Sequence, residues 1–223
     1  MTQAALFAPA MGARRRLALI AFLSALASSP AALARPLGVL AFGDSLTAGY
    51  GLKPEEAYPP VLAARLQKDG FDVVVANAGV SGETTKMGLA RFADALGEGT
   101  DLVIVELGGN DMLSNVPPRR TRANLETMIQ MAKAKGARVL LAGMVDVNLT
   151  RPATKKRFDA IFPALAAKYG LPLYPMFLEG VGANPKLTQP GGLHPTADGV
   201  RHIVDRIAPL VEKELAQIAA PRK

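Results

Sequence analysis

The chain contains no cysteine, which excludes disulfides, thiolate nucleophiles and cysteine-type zinc sites. Histidine is nearly as scarce, with His194 and His202 the only two in 223 residues. Two histidines eight apart, with no carboxylate cluster beside them, do not make a metal ligand set, so no metal is expected. From residue 35 onward there are three serines, Ser45, Ser81 and Ser114, so few hydroxyls compete for any nucleophilic role. The apolar run at residues 17–26 falls short of the roughly 20 residues that span a bilayer. No internal repeat, low-complexity stretch or second domain is visible.

That short run has a different reading. Arg14-Arg15-Arg16 precede it as a positively charged start, and Ala32-Leu33-Ala34 follows it as an A-x-A cleavage site. Residues 1–34 are therefore expected to be a secretory signal peptide that is removed, leaving Arg35 as the first residue of one domain, 35–223, in the periplasm or outside the cell. The Leu17-Ala18-Leu19 that follows the arginines matches a twin-arginine signal poorly. Cleavage would lower the formal charge from +7 to +4 by removing three arginines and no acids. Arg119-Arg120-Thr121-Arg122 and Lys155-Lys156-Arg157 have no interleaved aromatics and no nucleic-acid motif around them, so they read as solvated helix ends. No nucleic-acid partner and no stable membrane insertion are expected, and the oligomeric state is not legible.

What the chain does have is a regular alternation of short apolar runs and amphipathic stretches. Strands are expected at 39–42, 71–75, 101–107, 138–142 and 171–174. Helices are expected at 58–68, 84–96, 117–135, 151–169 with an interruption at Pro163, and from 196 to the C-terminus. The last helix carries Val200, Ile203, Val204, Ile207, Val211, Leu215 and Ile218 as an apolar stripe, and His202 falls outside that stripe, as a surface residue would. Strands alternating with helices require right-handed crossovers, so the fold class is α/β: a three-layer α/β/α sandwich around a five-stranded parallel sheet.

Ligands bind such sheets at the carboxyl ends of the strands. Gly43-Asp44-Ser45-Leu46 follows the first strand, Asn77-Ala78-Gly79 the second, Gly108-Gly109-Asn110-Asp111 the third, and His194-Pro195 lies in the loop after the fifth. Ser45, Gly79, Asn110 and His194 thus converge on one edge. A serine hydroxyl becomes nucleophilic when an imidazole takes its proton, and the resulting oxyanion needs donors already in place. His194 is the candidate base. The backbone N–H groups of Ser45 and Gly79 and the side-chain amide of Asn110 are candidate donors. Gly79 could equally be a turn glycine at positive φ, and Asn110 a loop-stabilising Asx turn. Val80, Met112, Leu113, Met176, Phe177 and Leu178 are apolar residues near these loops that suit either an acyl chain or the core.

These four blocks, in this order, resemble those of the SGNH, or GDSL, hydrolases, and most of all the small secreted bacterial arylesterase and acyl-thioesterase/lysophospholipase type. The resemblance implies a flavodoxin-like fold and hydrolysis of small to medium acyl esters, thioesters or lysophospholipids through an acyl-enzyme at Ser45. It assigns His194 as base, Gly79 and Asn110 as oxyanion donors, and no cofactor. The Gly-x-Ser-x-Gly elbow of the α/β-hydrolases is absent, because Thr47 stands at its second glycine. One position departs from the family: the aspartate expected three residues before the histidine is Gly191. Asp198 and Asp146 are the carboxylates nearest to hand, with Asp198 better suited to the first turn of the last helix. The glycine keeps two other readings open, a carbohydrate O-deacetylase and a non-catalytic acyl- or glycan-binding protein.

Overall fold

The computed structural model describes residues 35–145, 151–182 and 184–220. The proposed signal segment and Asp146 lie outside the described residues. Five strands form one parallel sheet: β1 (Leu37–Gly43), β2 (Val73–Gly79), β3 (Thr100–Glu106), β4 (Arg138–Ala142) and β5 (Leu173–Tyr174), in the order β2-β1-β3-β4-β5. The first crossover moves toward one edge and the next three toward the other. Right-handed connections therefore put α2 (Tyr58–Lys68) on one face, and α3 (Thr85–Ala95), α5 (Pro118–Ala134) and α7 (Ile161–Tyr169) on the opposite face. The long C-terminal helix α8 (Ala197–Ala219) packs beside α2, completing three layers. The described residues pack as a single compact unit.

The central strands read as continuous apolar runs because both faces are covered: Leu102, Val103, Ile104 and Val105 of β3 are wholly buried. The α8 stripe delivers Val200, Ile203, Val204, Ile207, Val211 and Leu215 to the same core. Strand β2 is an edge strand, and this explains why it runs four residues beyond the expected Val75. Ala76 to Gly79 pair in register with Leu40 to Gly43 although Ala76 and Asn77 are exposed, so no apolar pattern marked them.

The interruption in the 151–169 stretch falls at Ala160, between α6 (Pro152–Asp159) and α7, rather than at Pro163 itself. Pro163 lacks an N–H and its ring collides with the carbonyl four residues back. The chain therefore breaks before it, and Pro163 sits in the first turn of α7, where no donor is needed. No described helix is long and apolar enough to cross a membrane.

Candidate active site

Strand β1 lies between β2 and β3, and Gly43 at its end pairs with Gly79 on one side and Glu106 on the other. The chain then turns sharply into a one-turn helix, α1 (Ser45–Ala48), so Ser45 opens a helix instead of standing in a loop. The Asp44 carboxylate caps this turn by accepting from the Leu46 N–H (3.1 Å), and Gly49 ends it at φ 82°. Gly43 has to be glycine: a Cβ there would lie 2.1 Å from Thr47 Oγ1 and 2.5 Å from Glu106 Oε2.

Glu106 is wholly buried under this turn, where Oε2 accepts from Thr47 Oγ1 (2.7 Å) and Oε1 has no partner among the described residues. Burial, reinforced by nearby Asp44, drives its carboxyl well above the ordinary 4.5. A group whose folded pKa is raised supports the fold fully below its unfolded value and loses that support as pH rises toward the folded one. Glu106→Gln removes this titration while preserving shape. The unfolding free energy of the variant relative to the native protein is expected to rise with pH above about 4.5, by up to ~1.4 kcal/mol per pH unit, in denaturant titrations from pH 4.5 to 8.

His194 reaches this turn from the far end of the sequence: its Nε2 lies 3.0 Å from Ser45 Oγ. No carboxylate accepts from the ring among the described residues. Gly191 sits at φ 100° and Gly192 at φ 72°, in a loop shape that disfavours side chains. The ring is held instead by its surroundings. Tyr50 packs on it at 4.7 Å between centroids, and the Gln189 N–H donates to the His194 carbonyl (2.8 Å). The Gln189 side chain donates to the carbonyls of Pro195 and Tyr50, both at 2.8 Å, so one residue ties the histidine loop to the Tyr50 turn. Burial lowers the His194 pKa below 6.5, favouring the neutral, proton-accepting ring. Asp198 is in the first turn of α8 and pairs with Arg201, while Thr196 caps that helix.

Asn110 lies in the short helix α4 (Gly109–Leu113) after β3. Its amide donates to Asp44 Oδ2 (3.1 Å) and to the Glu83 carbonyl (2.9 Å), joining the exits of β1, β2 and β3. Burial pushes the Asp44 carboxyl up to about 6, against the pull of the Leu46 N–H. Behind α4, the wholly buried Asp111 accepts from the Thr85 N–H (2.7 Å) and hydroxyl (2.5 Å) and from Thr121 (3.1 Å), pinning α4 to α3 and α5.

Gly79 does not take either expected role. Its φ is not positive, its N–H is spent on Asn77 Oδ1 (3.0 Å), and it does not line the cavity at Ser45. It is glycine because α1 lies directly on it: a Cβ would stand 2.2 Å from the Ala48 nitrogen. The glycine of this loop that does line the cavity, as Gly109 does from the β3 side, is Gly82, three residues further along, at φ 84° with open space around it. A glycine in a polar loop beyond the strand end was the available signal, and Gly79, closer to the strand, masked it.

Arg91 had no such signal, since an arginine within a helical pattern reads as a solvent-facing residue. It forms a clamp instead. Its Nε donates to both Glu83 oxygens (2.8 Å each), and its Nη2 donates to Glu83 Oε2 (2.6 Å) and to the carbonyls of Ala78 (2.9 Å) and Gly43 (3.3 Å). Its guanidinium lies 4.2 Å over the Phe42 ring. The loop carrying Gly82 and Glu83 is thereby fixed to the exits of β1 and β2.

The cavity over Ser45 has a volume of about 440 Å³, and Met112, Leu113, Met144, Leu178 and Leu193 contribute apolar wall. Of the other apolar candidates, Phe177 is core, packed edge-on against Tyr58, and Val80 and Met176 lie outside the lining. His202 is half-buried rather than a surface residue; its Nε2 is enclosed beside Gly180 without a partner among the described residues.

A doubly wound parallel sheet with an imidazole against a serine at its carboxyl edge is the architecture of a serine hydrolase. The chain belongs to the GDSL-like lipase/acylhydrolase family, whose model matches residues 41–202. It is 38% identical to an arylesterase of Vibrio mimicus over 179 residues, covering 79% of this chain and 89% of that protein. It is 37% identical to thioesterase 1/protease 1/lysophospholipase L1 of Escherichia coli, covering 76% and 81%. Among solved structures, AlinE4, an SGNH-hydrolase family esterase, superposes with a TM-score of 0.68 at 40% identity, covering 85% of this chain and 99% of that one.

Proposed function

We propose that the protein is a cofactor-independent serine esterase for small to medium acyl esters, acting after signal cleavage in the periplasm or outside the cell as a single domain, 35–223. The observation that carries this is the 3.0 Å contact between His194 Nε2 and Ser45 Oγ at the mouth of an apolar cavity. His194 takes the hydroxyl proton as Ser45 Oγ attacks the acyl carbon. The oxyanion then receives the Gly82 and Ser45 N–H groups and one Asn110 hydrogen, drawn from Asp44 or Glu83. Collapse expels the alcohol with the proton held by His194, and water attacking the acyl-enzyme regenerates Ser45 by the same transfer.

Loss of the orienting aspartate from a full triad costs about 10⁴ in kcat. Here the hydrogen bonds of Gln189 and the Tyr50 ring supply orientation, though not the charge that would stabilise the imidazolium. The family's aryl ester and thioester hydrolases support the ester reading over the deacetylase and the binding protein, and the apolar wall of the cavity suits an acyl chain better than a sugar.

Hydrolysis of p-nitrophenyl butyrate followed from pH 4 to 9 tests this. Because His194 is lowered by burial, the acid limb of kcat/KM is expected below pH 6.5. An alkyl fluorophosphonate should abolish turnover with one equivalent bound at Ser45. Turnover that survives full labelling, or no turnover at any pH, overturns the reading.

A further inference from the structure

Two basic runs that look unrelated in the sequence meet on one surface. Arg119 and Arg122, three residues apart, share one side of the N-terminal end of α5, and Arg157 lies in the last turn of α6. The fold sets all three around a cleft of about 610 Å³ floored by Pro117, Pro118 and Ile161. Among the described residues no carboxylate lines it, and none makes an ion pair with any of the three arginines. Glu126, one turn beyond Arg122, is already engaged by Lys168 Nζ (2.5 Å) and the Tyr169 hydroxyl (2.8 Å). Like charges three residues apart on a helix repel, and a third converging on them adds to the cost. An arrangement of that kind is relieved when an anion enters.

The cleft also lies one cavity away from the nucleophile. A smaller cavity of about 250 Å³ shares Met112 with the cavity over Ser45, and shares Pro117, Pro118 and Arg157 with the arginine cleft. The three cavities thus adjoin one another, from the apolar chamber at Ser45, by way of Met112, to the three guanidinium groups, and among the described lining residues the one carboxylate is the buried Asp44.

We infer that the cleft is an anion subsite for a phosphate carried on the leaving-group part of the substrate, with the acyl chain in the chamber over Ser45 and Arg119, Arg122 and Arg157 around the phosphate. Guanidinium forks suit phosphate oxygens, and weak hydration makes arginine the better choice for a cleft with an apolar floor. The inference rests on the esterase reading and adds to it the chemistry of the group that departs. It makes the protein selective for phosphate-bearing esters or thioesters over neutral ones with the same acyl group.

The test reads a ratio, so that a loss of folded protein cancels. S-butyryl-coenzyme A is compared with S-butyryl-N-acetylcysteamine, which has the same reacting bond without phosphate. Lauroyl lysophosphatidylglycerol is compared with monolaurin in the same way. In one or both pairs, the ratio of kcat/KM, phosphate-bearing over neutral, is expected to fall about tenfold in the variant Arg119→Ala/Arg122→Ala/Arg157→Ala. It is expected to fall similarly in the native protein between 50 and 500 mM salt. A fall confined to the first pair identifies a soluble nucleotide thioester, and one confined to the second identifies a lipid headgroup. Ratios unchanged by the substitutions in both pairs overturn the subsite while leaving the esterase standing. If the neutral substrates are not turned over, the esterase reading has failed. Calorimetric titration of the Ser45→Ala protein with hexyl phosphate still decides the subsite: heat lost in the triple-arginine background supports it, and equal heat overturns it.

Discussion

Ser45→Ala is expected to lower kcat for p-nitrophenyl butyrate by at least about a thousandfold, with the unfolding midpoint unchanged. Half-buried Ser45 makes no side-chain contact that the fold depends on; the turn is held by Asp44, Thr47 and Gly49. The size of the loss carries information beyond its occurrence. In a full triad, removing the serine costs about 10⁶ and removing the aspartate about 10⁴, and the effects do not add. A site that began with a poorly oriented histidine would therefore lose only about 10² when its serine goes. A loss well above that means that Tyr50 and Gln189 hold the imidazole in a productive orientation without a carboxylate. A loss below tenfold, measured on protein purified apart from host esterases, removes Ser45 from the mechanism.

Asn110→Ala should cost about 10² to 10³ in kcat with little change in KM, because an oxyanion donor acts on the transition state more than on the bound ester. The same substitution takes hydrogen bonds from the buried Asp44 and from the Glu83 carbonyl, so stability should fall by about 1–3 kcal/mol. The two effects separate when kcat is measured well below the variant's melting temperature. A KM that rises with kcat unchanged would make Asn110 a substrate-binding residue instead.

Most of the fold could be read from the chain because periodicity and glycine reported it directly. The α2 and β4 boundaries agree with the sequence pattern, and the serine and histidine meet as the order of the strand ends implies. The differences share one cause: the pattern records which side chains are buried and says nothing of which backbone groups come close. Gly79 and Gly82 differ in backbone conformation and in what surrounds them, α1 on the first and open cavity on the second, and neither difference is written in the glycine itself. The end of β2 carries no apolar pattern because it lies at an edge, and Arg91 resembles any exposed arginine until Glu83, Ala78 and Gly43 are brought around it. The two basic runs read correctly as helix ends, yet their meeting is a property of the crossover between β3 and β4 and of the helix that follows.

The backbone at Gly191 also bears on how this catalyst could be improved. An aspartate introduced there would inherit φ 100°, a conformation that costs an L residue roughly 1–3 kcal/mol, and its neighbour Gly192 has the same handedness. A carboxylate-assisted histidine is therefore separated from the present one by a backbone cost as well as by a change of side chain. Laboratory selection for faster turnover would climb more readily by tightening the grip of Tyr50 and Gln189 on the imidazole. The protein would then arrive at an efficient dyad before it arrived at a triad.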